Sequence, residues 1–206
     1  MKIIDKPIPI NKYNRPGTKS IPNRICVHYT GQAGTGADRL ALFYKNVASG
    51  MFPESNNWTS TQYIVGLNGK VIRIIPDNEV AYAASGKNDG TLHIEVCYSM
   101  ASGEFETASI SALRELVQEL MKKYNIPAAN VLRHYDLTGK YCPWYYVDEN
   151  RWAVLHEYIT SAAFDSKKLY RVQVGAFSSK ENATLYMDKV KAAGFNAFIV
   201  EVNDNA

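Results

Sequence analysis

The stretch RHYDLTGKYCPWYY, residues 133–146, concentrates reactive side chains in a short part of the chain. It contains His134, Lys140 and Cys142, although the whole sequence has only 4 His and 3 Cys. We interpret the stretch as a loop. Imidazole and thiolate are both zinc ligands, and His134 and Cys142 are close enough in sequence to turn toward one ion. The loop is therefore a candidate metal site.

The composition is that of an ordinary globular protein with one good-sized domain, with or without a small appendage. The chain has 206 residues, of which 46% are apolar and 21% charged, so a core can form without disulfides. Three cysteines are an odd number, which argues against a disulfide framework. The net charge of +3 is too weak to indicate nucleic acid binding, but it suits an anionic surface such as a cell wall.

Residues 1–17 contain no apolar core of seven or more residues. We therefore expect neither a secretory signal peptide nor insertion into a membrane. Residues 1–23 hold four prolines and little periodicity, which predicts an extended arm lying over the domain.

Two predicted strands outside the 133–146 loop carry further polar side chains. RICVHYT (24–30) alternates and places His28 near the end of a strand. TLHIEVCYS (91–99) places His93 and Glu95 on one face of another strand. A carboxylate on an otherwise apolar strand is costly to bury unless something pairs with it, so Glu95 is a second candidate.

The remaining periodic segments predict alternating helices and strands. Asn68 and Gly69 form the strongest short hairpin signal, which divides 61–76 into two strands. Thr107 is the expected N-cap of the clearest helix. Apolar residues at helical spacing predict helices at 37–49, 108–124 and 148–163.

Taken singly, each candidate has a plainer explanation as a packed or solvated residue. His28 must reach the loop from a distant strand. Glu95 is equally explained as a carboxylate on a solvent-exposed face of its strand, and Lys140 as an ordinary lysine of an exposed loop. We interpret the other candidates as structural: His93, His156, Cys26 and Cys97.

Together, the motifs CVHYT, HIEVCYS and RHYDLTGKYCP resemble the zinc-dependent N-acetylmuramoyl-L-alanine amidases. This amidase-2 family includes phage and bacterial amidase endolysins and animal peptidoglycan recognition proteins. The resemblance covers residues 20–160, approximately. It implies an α/β fold with a mixed central β-sheet flanked by helices, within a zinc amidase catalytic domain at residues 1–163.

The resemblance also implies roles for individual residues. His28, His134 and Cys142 match the family's ligands of Zn²⁺. Glu95 matches the catalytic glutamate of the bacterial branch, and Lys140 matches a basic residue that assists catalysis. Zinc would activate water, Glu95 would move the proton, and Lys140 would stabilise the oxyanion.

Two positions depart from the family pattern. His93 stands where relatives have glycine, a change that would crowd the site or contact substrate. Thr61 stands where one branch has a tyrosine, so the role of the base falls to Glu95. Tyr63 matches a packing aromatic.

The C-terminal segment begins after a linker at 164–169. Residues 170–206 predict a small βαβ unit that resembles the opening half of a SPOR repeat, a peptidoglycan-binding module. Either the module is truncated or another copy of the chain completes it. The second alternative predicts a homodimer through this half-module.

These expectations define one leading function and two alternatives. The leading function is hydrolysis of peptidoglycan between the lactyl group of N-acetylmuramic acid and L-alanine, by a phage endolysin or a prophage or host autolysin. Such a protein would be made in the cytoplasm without a signal peptide and act on the extracellular wall after release or non-classical export. The alternatives are a module that binds peptidoglycan without cutting it, and a purely structural metal site. The structural site is disfavoured because no Cys-x₂-Cys pair is present.

Overall fold

The computed structural model describes residues 1–52, 58–161, 173–195 and 197–201. The chain divides into two compact units, Met1–Ala162 and Ala163–Ala206, which are considered separately.

A six-stranded mixed sheet forms the centre of the first unit, in the order β1-β4-β3-β5-β2-β6. All neighbouring strands are parallel except β3 and β4, which form the predicted antiparallel hairpin around Asn68 and Gly69. Gly69 has a positive φ of 77°, as a tight turn requires. The strands are β1 (Ile3–Asp5), β2 (Arg24–Tyr29), β3 (Tyr63–Val65), β4 (Val71–Arg73), β5 (Thr91–Val96) and β6 (Val131–Arg133).

Helices cover both faces of this sheet. On one face, α2 (Thr107–Tyr124) and α4 (Glu149–Thr160) pack on a core that includes Ile25 and Ile94. On the other face, α1 (Ala37–Ala48) packs on β3 and β4 through a smaller apolar cluster. Successive strand residues point to opposite faces, so His28 and Glu95 lie on the face that carries α1. The α/β fold with a mixed sheet flanked by helices is confirmed.

The N-terminal arm is extended, as predicted, and its first part forms β1, an edge strand that pairs with β4. Two other local predictions were wrong. The N-cap of α2 is Glu106 and not Thr107, which is the first helical residue. The 133–146 stretch is largely regular: its first residue ends β6, His134–Thr138 form the short helix α3, and Trp144–Val147 form a 3₁₀ turn.

In the second unit, α5 (Lys180–Ala192) supplies the helix of the predicted βαβ unit. Its N-cap is Ser179, whose hydroxyl oxygen accepts a hydrogen bond from the backbone N–H of Asn182. Residues 173–177 and 197–201 belong to no strand, so the βαβ prediction was wrong for the described part of this segment. A pair of strands is marginal without further strands to complete a sheet. The predicted linker and the rest of both predicted strands lie outside the described residues.

No helix among the described residues is long and apolar enough to span a lipid bilayer.

Candidate active site

The carboxyl ends of three parallel strands, β5, β2 and β6, lie side by side at the same edge of the sheet. His28 is the fifth residue of β2, and it pairs in register with Glu95 of the neighbouring strand β5. His134 directly follows β6, which pairs with the opposite edge of β2. The carboxyl ends of parallel strands are a common location for ligand sites in α/β proteins.

His28, His134 and Cys142 form a compact group of potential metal ligands. One ligand atom from each lies within 4.8 Å of the others, and all three residues are buried. The Cys142 Sγ lies 3.7 Å from the His28 Nδ1. Bond lengths to zinc place a sulfur and a nitrogen ligand of one tetrahedral ion about 3.6 Å apart. The buried His134 Nδ1 makes no hydrogen bond, as expected for an atom available to a ligand.

Local backbone structure brings Cys142 back toward His134. Helix α3 ends at Gly139, which adopts the left-handed conformation with φ of 75° and reverses the chain. The backbone N–H of Tyr135 then donates to the carbonyl of Cys142 at 2.9 Å. Two candidate ligands are thereby fixed on one short helix-turn segment.

A cleft of about 290 Å³ opens over this group, and Glu95 and Lys140 both line it. Glu95 is half-buried, and its Oε2 is a buried atom without a hydrogen-bond partner. Lys140 is exposed and contributes positive charge from the rim. The other lining residues are Tyr29, Thr30, Gly31, Leu40, Phe43, Tyr44, Thr59 and Ala83.

Burial dominates the electrostatics of the site. It raises the pKa of Glu95 to about 8, although Lys140 opposes the shift. It lowers the pKa of His134 to about 4, with a further lowering from Lys140, and lowers the pKa of His28 well below its usual value. Both imidazoles are therefore neutral at pH 7, which is the form that binds zinc. Burial also raises the pKa of Cys142 to about 12, so binding of a cation there would release the thiol proton.

All five residues predicted for the site line one cleft: His28, Glu95, His134, Lys140 and Cys142. Their roles as ligands and catalytic groups stay predictions. Trp58 and Trp144 are exposed and are not among the residues that line the cleft. Thr61 is buried, and its hydroxyl donates to the backbone carbonyl of His93 at 2.7 Å, with the carbonyl of Tyr63 farther away at 3.1 Å.

Two residues of the site differ from what the sequence predicts for them. His93 neither crowds the cleft nor lines it; it lies buried behind His28. Tyr44 lines the cleft from α1, where its helical spacing predicts only packing. In the described part of the chain, one other group, formed by Cys26, His28 and His93, has a similar ligand spacing. Cys26 and His93 lie outside the lining of the cleft, so this group is the poorer candidate for a catalytic ion.

Comparison with known families identifies the first unit. The profile described as N-acetylmuramoyl-L-alanine amidase matches residues 17–145. The chain belongs to the N-acetylmuramoyl-L-alanine amidase family. A second profile, described as SPOR domain, matches residues 149–203. This second match begins at α4, whose Trp152, Leu155 and Ile159 belong to the core of the first unit.

Named relatives and solved structures agree with this assignment. A probable N-acetylmuramoyl-L-alanine amidase of Bacillus licheniformis is 31% identical over 156 residues, which are 69% of this chain and 42% of that protein. The structure of PlyL has a TM-score of 0.67 at 27% identity and covers 80% of this chain and all of that one. The catalytic domain of XlyA has a TM-score of 0.65 at 30% identity, covering 77% and 99%. The chain spans less than half the length of the curated relatives it matches.

Proposed function

We propose that the protein hydrolyses peptidoglycan at the amide between the lactyl group of N-acetylmuramic acid and the L-alanine of the stem peptide. The observation that carries the proposal is the convergence of three neutral side chains that could hold a metal ion with a half-buried carboxyl and a lysine in one cleft. Membership of the amidase family, and the endolysin catalytic domains among the similar structures, support it.

The residues fit a zinc ion as the cofactor. Two imidazoles and one thiolate are a donor set that zinc accepts, and the unpaired His134 Nδ1 is available to it. His28, His134 and Cys142 would hold the ion. Zinc held there would act as a Lewis acid and make water a better nucleophile near neutral pH.

Glu95 and Lys140 would carry the proton and charge transfers. As water attacks the carbonyl carbon of the lactyl group, the ionised Glu95 takes a proton from it, and Lys140 stabilises the developing oxyanion. The carbon–nitrogen bond then breaks, and Glu95 returns the proton to the departing nitrogen of L-alanine. The products are a lactyl carboxylate and a stem peptide with a free amino terminus.

The test measures new L-alanine amino termini released from purified cell wall. We expect Glu95→Gln and Cys142→Ser to lower the rate by at least about 100-fold, and Lys140→Ala by about 10-fold or more. Matched controls are Glu119→Gln and Lys122→Ala on the exposed face of α2, and Cys97→Ser, a buried cysteine outside the cleft lining. The controls should retain the parental rate.

The competing function is a module that binds peptidoglycan without cutting it. If the parent binds purified wall but releases no amines with zinc present, the hydrolase proposal fails and the binding module takes its place. Pairing each rate with the metal content of the same sample, before and after a chelator, separates a wrong cofactor from a wrong reaction. Loss of activity on chelation and recovery with Zn²⁺ is the expected result.

The C-terminal unit is proposed to bind peptidoglycan, as its SPOR match suggests, and to hold the hydrolase on its substrate. The protein would then act on the cell wall outside the cytoplasmic membrane. Peptidoglycan is the only macromolecular partner that this proposal requires.

A further inference from the structure

His93 is a fully buried imidazole in direct contact with a candidate zinc ligand. The His93 Nδ1 lies 3.0 Å from the His28 Nε2, a hydrogen-bonding distance, and both residues are buried. The two rings are tilted by 57°, with their centroids 5.1 Å apart. Because His93 does not line the cleft, it is not placed to touch substrate, and its direct contact with the predicted ligands is with His28.

An ion held by both His28 and Cys142 would require one particular tautomer of His28. The His28 Nδ1 faces the Cys142 Sγ at 3.7 Å, so this nitrogen needs a free lone pair to hold an ion with that sulfur. A neutral imidazole then carries its proton on Nε2, which donates to the His93 Nδ1. His93 in turn keeps its own proton on Nε2, a buried atom for which the described residues offer no partner.

The backbone N–H and the backbone carbonyl of His93 are both hydrogen-bonded to buried side chains. Its N–H donates to the Gln62 Oε1 at 2.8 Å, and its carbonyl accepts from the Thr61 hydroxyl at 2.7 Å. The Gln62 side chain is itself fixed, since its Nε2 donates to the carbonyl of Glu79 at 2.9 Å. Threonine and glutamine at fully buried positions thus fix His93, which locates its Nδ1 beside His28.

We infer that His93 is a positioning residue, which selects the His28 tautomer with a free Nδ1 and holds that ring toward the metal. The inference rests on the proposed zinc site and deepens it. A metal-ligating histidine usually donates its second ring N–H to a fixed acceptor, and loss of that acceptor typically lowers metal affinity 10- to 100-fold. In this chain the acceptor is a second histidine on the adjacent strand.

Two substitutions in the full chain separate positioning from packing. His93→Leu fills similar space without an acceptor, whereas His93→Asn carries an amide oxygen at the place of the Nδ1. We expect His93→Leu to raise the dissociation constant for Zn²⁺ 10- to 100-fold, measured by chelator competition, and His93→Asn to stay near the parent. In Co²⁺-loaded protein, the ligand-field spectrum should change in His93→Leu and be restored in His93→Asn.

A measurement on the parent makes the inference independent of whether either variant folds. Nitrogen-15 NMR of the metal-free protein should show the His28 proton on Nε2. A proton on Nδ1, or a folded His93→Leu variant with parental zinc affinity and cobalt spectrum, would overturn the inference. If the parent binds zinc and releases amines while His93→Leu behaves identically, this inference fails alone. If the parent binds no zinc, the proposed cofactor and the metal-holding part of this inference both fail, and the tautomer decides only whether His93 orients His28.

Discussion

Glu95 combines a buried carboxyl oxygen with a pKa raised to about 8 by burial, against an ordinary value of 4.5. Between pH 4.5 and about 8, the Glu95 carboxyl of the metal-free protein is protonated in the folded state and ionised in the unfolded chain. Its contribution to stability is therefore complete below pH 4.5 and is lost as the pH rises toward 8. The general-base role needs the ionised form, which a nearby cation would favour.

We predict that Glu95→Gln stabilises the metal-free protein increasingly as the pH rises from about 4.5 to 8. The gain at pH 8 should be on the order of 2–4 kcal/mol, because glutamine has no charge to desolvate. Thermal unfolding of parent and variant in chelator, at several pH values, measures it. Glu119→Gln controls for the loss of one exposed carboxylate. A stability difference that stays constant with pH would contradict the neutral buried state of Glu95.

Arg133 is a buried guanidinium that ties the ligand segment to the rest of the first unit. It bonds the Asp136 carboxylate at 2.6 Å, the Glu149 carboxylate at 2.9 Å, and the carbonyls of Tyr146 and Val147 at 3.0 Å. Its backbone N–H also donates to Asp136. His134, a candidate ligand, is the next residue in the chain.

We predict that Arg133→Lys destabilises the protein by roughly 2–4 kcal/mol, because an ammonium cannot span these acceptors and leaves buried carbonyls unpaired. Denaturant unfolding measures the loss, and zinc affinity should fall with it. The matched control is Arg39→Lys on the exposed side of α1, which should change neither quantity. Full retention of stability would mean that water replaces the guanidinium contacts.

At the scale of the elements, Asp77 joins the hairpin to α2. Its buried carboxylate accepts from the Tyr63 hydroxyl at 2.5 Å, the Tyr124 hydroxyl at 2.7 Å and the Lys123 ammonium at 2.8 Å. Burial alone would raise the pKa of Asp77, but these hydrogen bonds outweigh it and lower the pKa. The stabilisation is therefore present above the ordinary pKa of 3.8 and is lost as the pH falls through the lowered value.

We predict that Asp77→Asn lowers the free energy of unfolding by about 1–3 kcal/mol at pH 7. The asparagine amide puts an NH₂ donor where the carboxylate had an accepting oxygen, and the three groups around it are themselves donors. The cost should shrink in acid below about pH 3.8, where the parent loses the same contacts. Chemical unfolding at pH 7 and pH 3 measures both values. Asp188→Asn, an exposed change in α5, is the control. An equal cost at both pH values would contradict the ionised network.

The sequence predicts long, strongly periodic elements and misses short ones whose ends depend on tertiary contacts. The spacing of Leu113, Val117 and Leu120 fixes the position of α2, because an apolar face must be buried. Helix α3 has five residues, too few for a period, and it begins where Asp136 bonds the backbone of Arg133. Strand β1 has three residues and forms only through pairing with β4, far along the chain.

The candidate site was predictable in its residues but not in its supporting contacts. Alternation assigns His28 to one face of its own strand and Glu95 to one face of another, and the family resemblance of the motifs groups both with the loop residues. The contact of His93 with His28 depends on the register of β2 against β5, which pairs Cys26 with His93. A single sequence carries no signal for that register.

At the scale of the whole molecule, zinc should act as a stabilising ligand of the first unit. Its three proposed ligands meet only in the folded chain, so binding favours the folded state by mass action, by about 2.7 kcal/mol at 100 times the dissociation constant. We predict that a chelator lowers the melting temperature of the parent and that Zn²⁺ restores it. Cys142→Ser should lose this response, whereas Cys97→Ser should keep it. Identical melting of the parent with and without zinc would contradict a site in the folded core.

The two units predict separable activities. A chain of residues 1–161 should retain zinc binding and amine release from solubilised substrate, because all cleft residues lie within it. Its retention on insoluble wall should fall relative to the whole chain, which a sedimentation assay measures. The same pair of proteins tests the predicted homodimer: only the whole chain should dimerise if the C-terminal unit mediates association. A monomeric whole chain would rule out that dimer.

Strand β2 lies between β5 and β6, both of which follow it in the chain, and His28 meets Cys142 across 114 positions. During synthesis on the ribosome, β2 therefore emerges before β5 and β6 have been synthesised. Both edges of β2 then lack their native hydrogen-bond partners. The proposed ion has no complete set of ligands until Cys142 has left the exit tunnel. A complete set of ligands for the ion therefore becomes available only after all six strands have been synthesised.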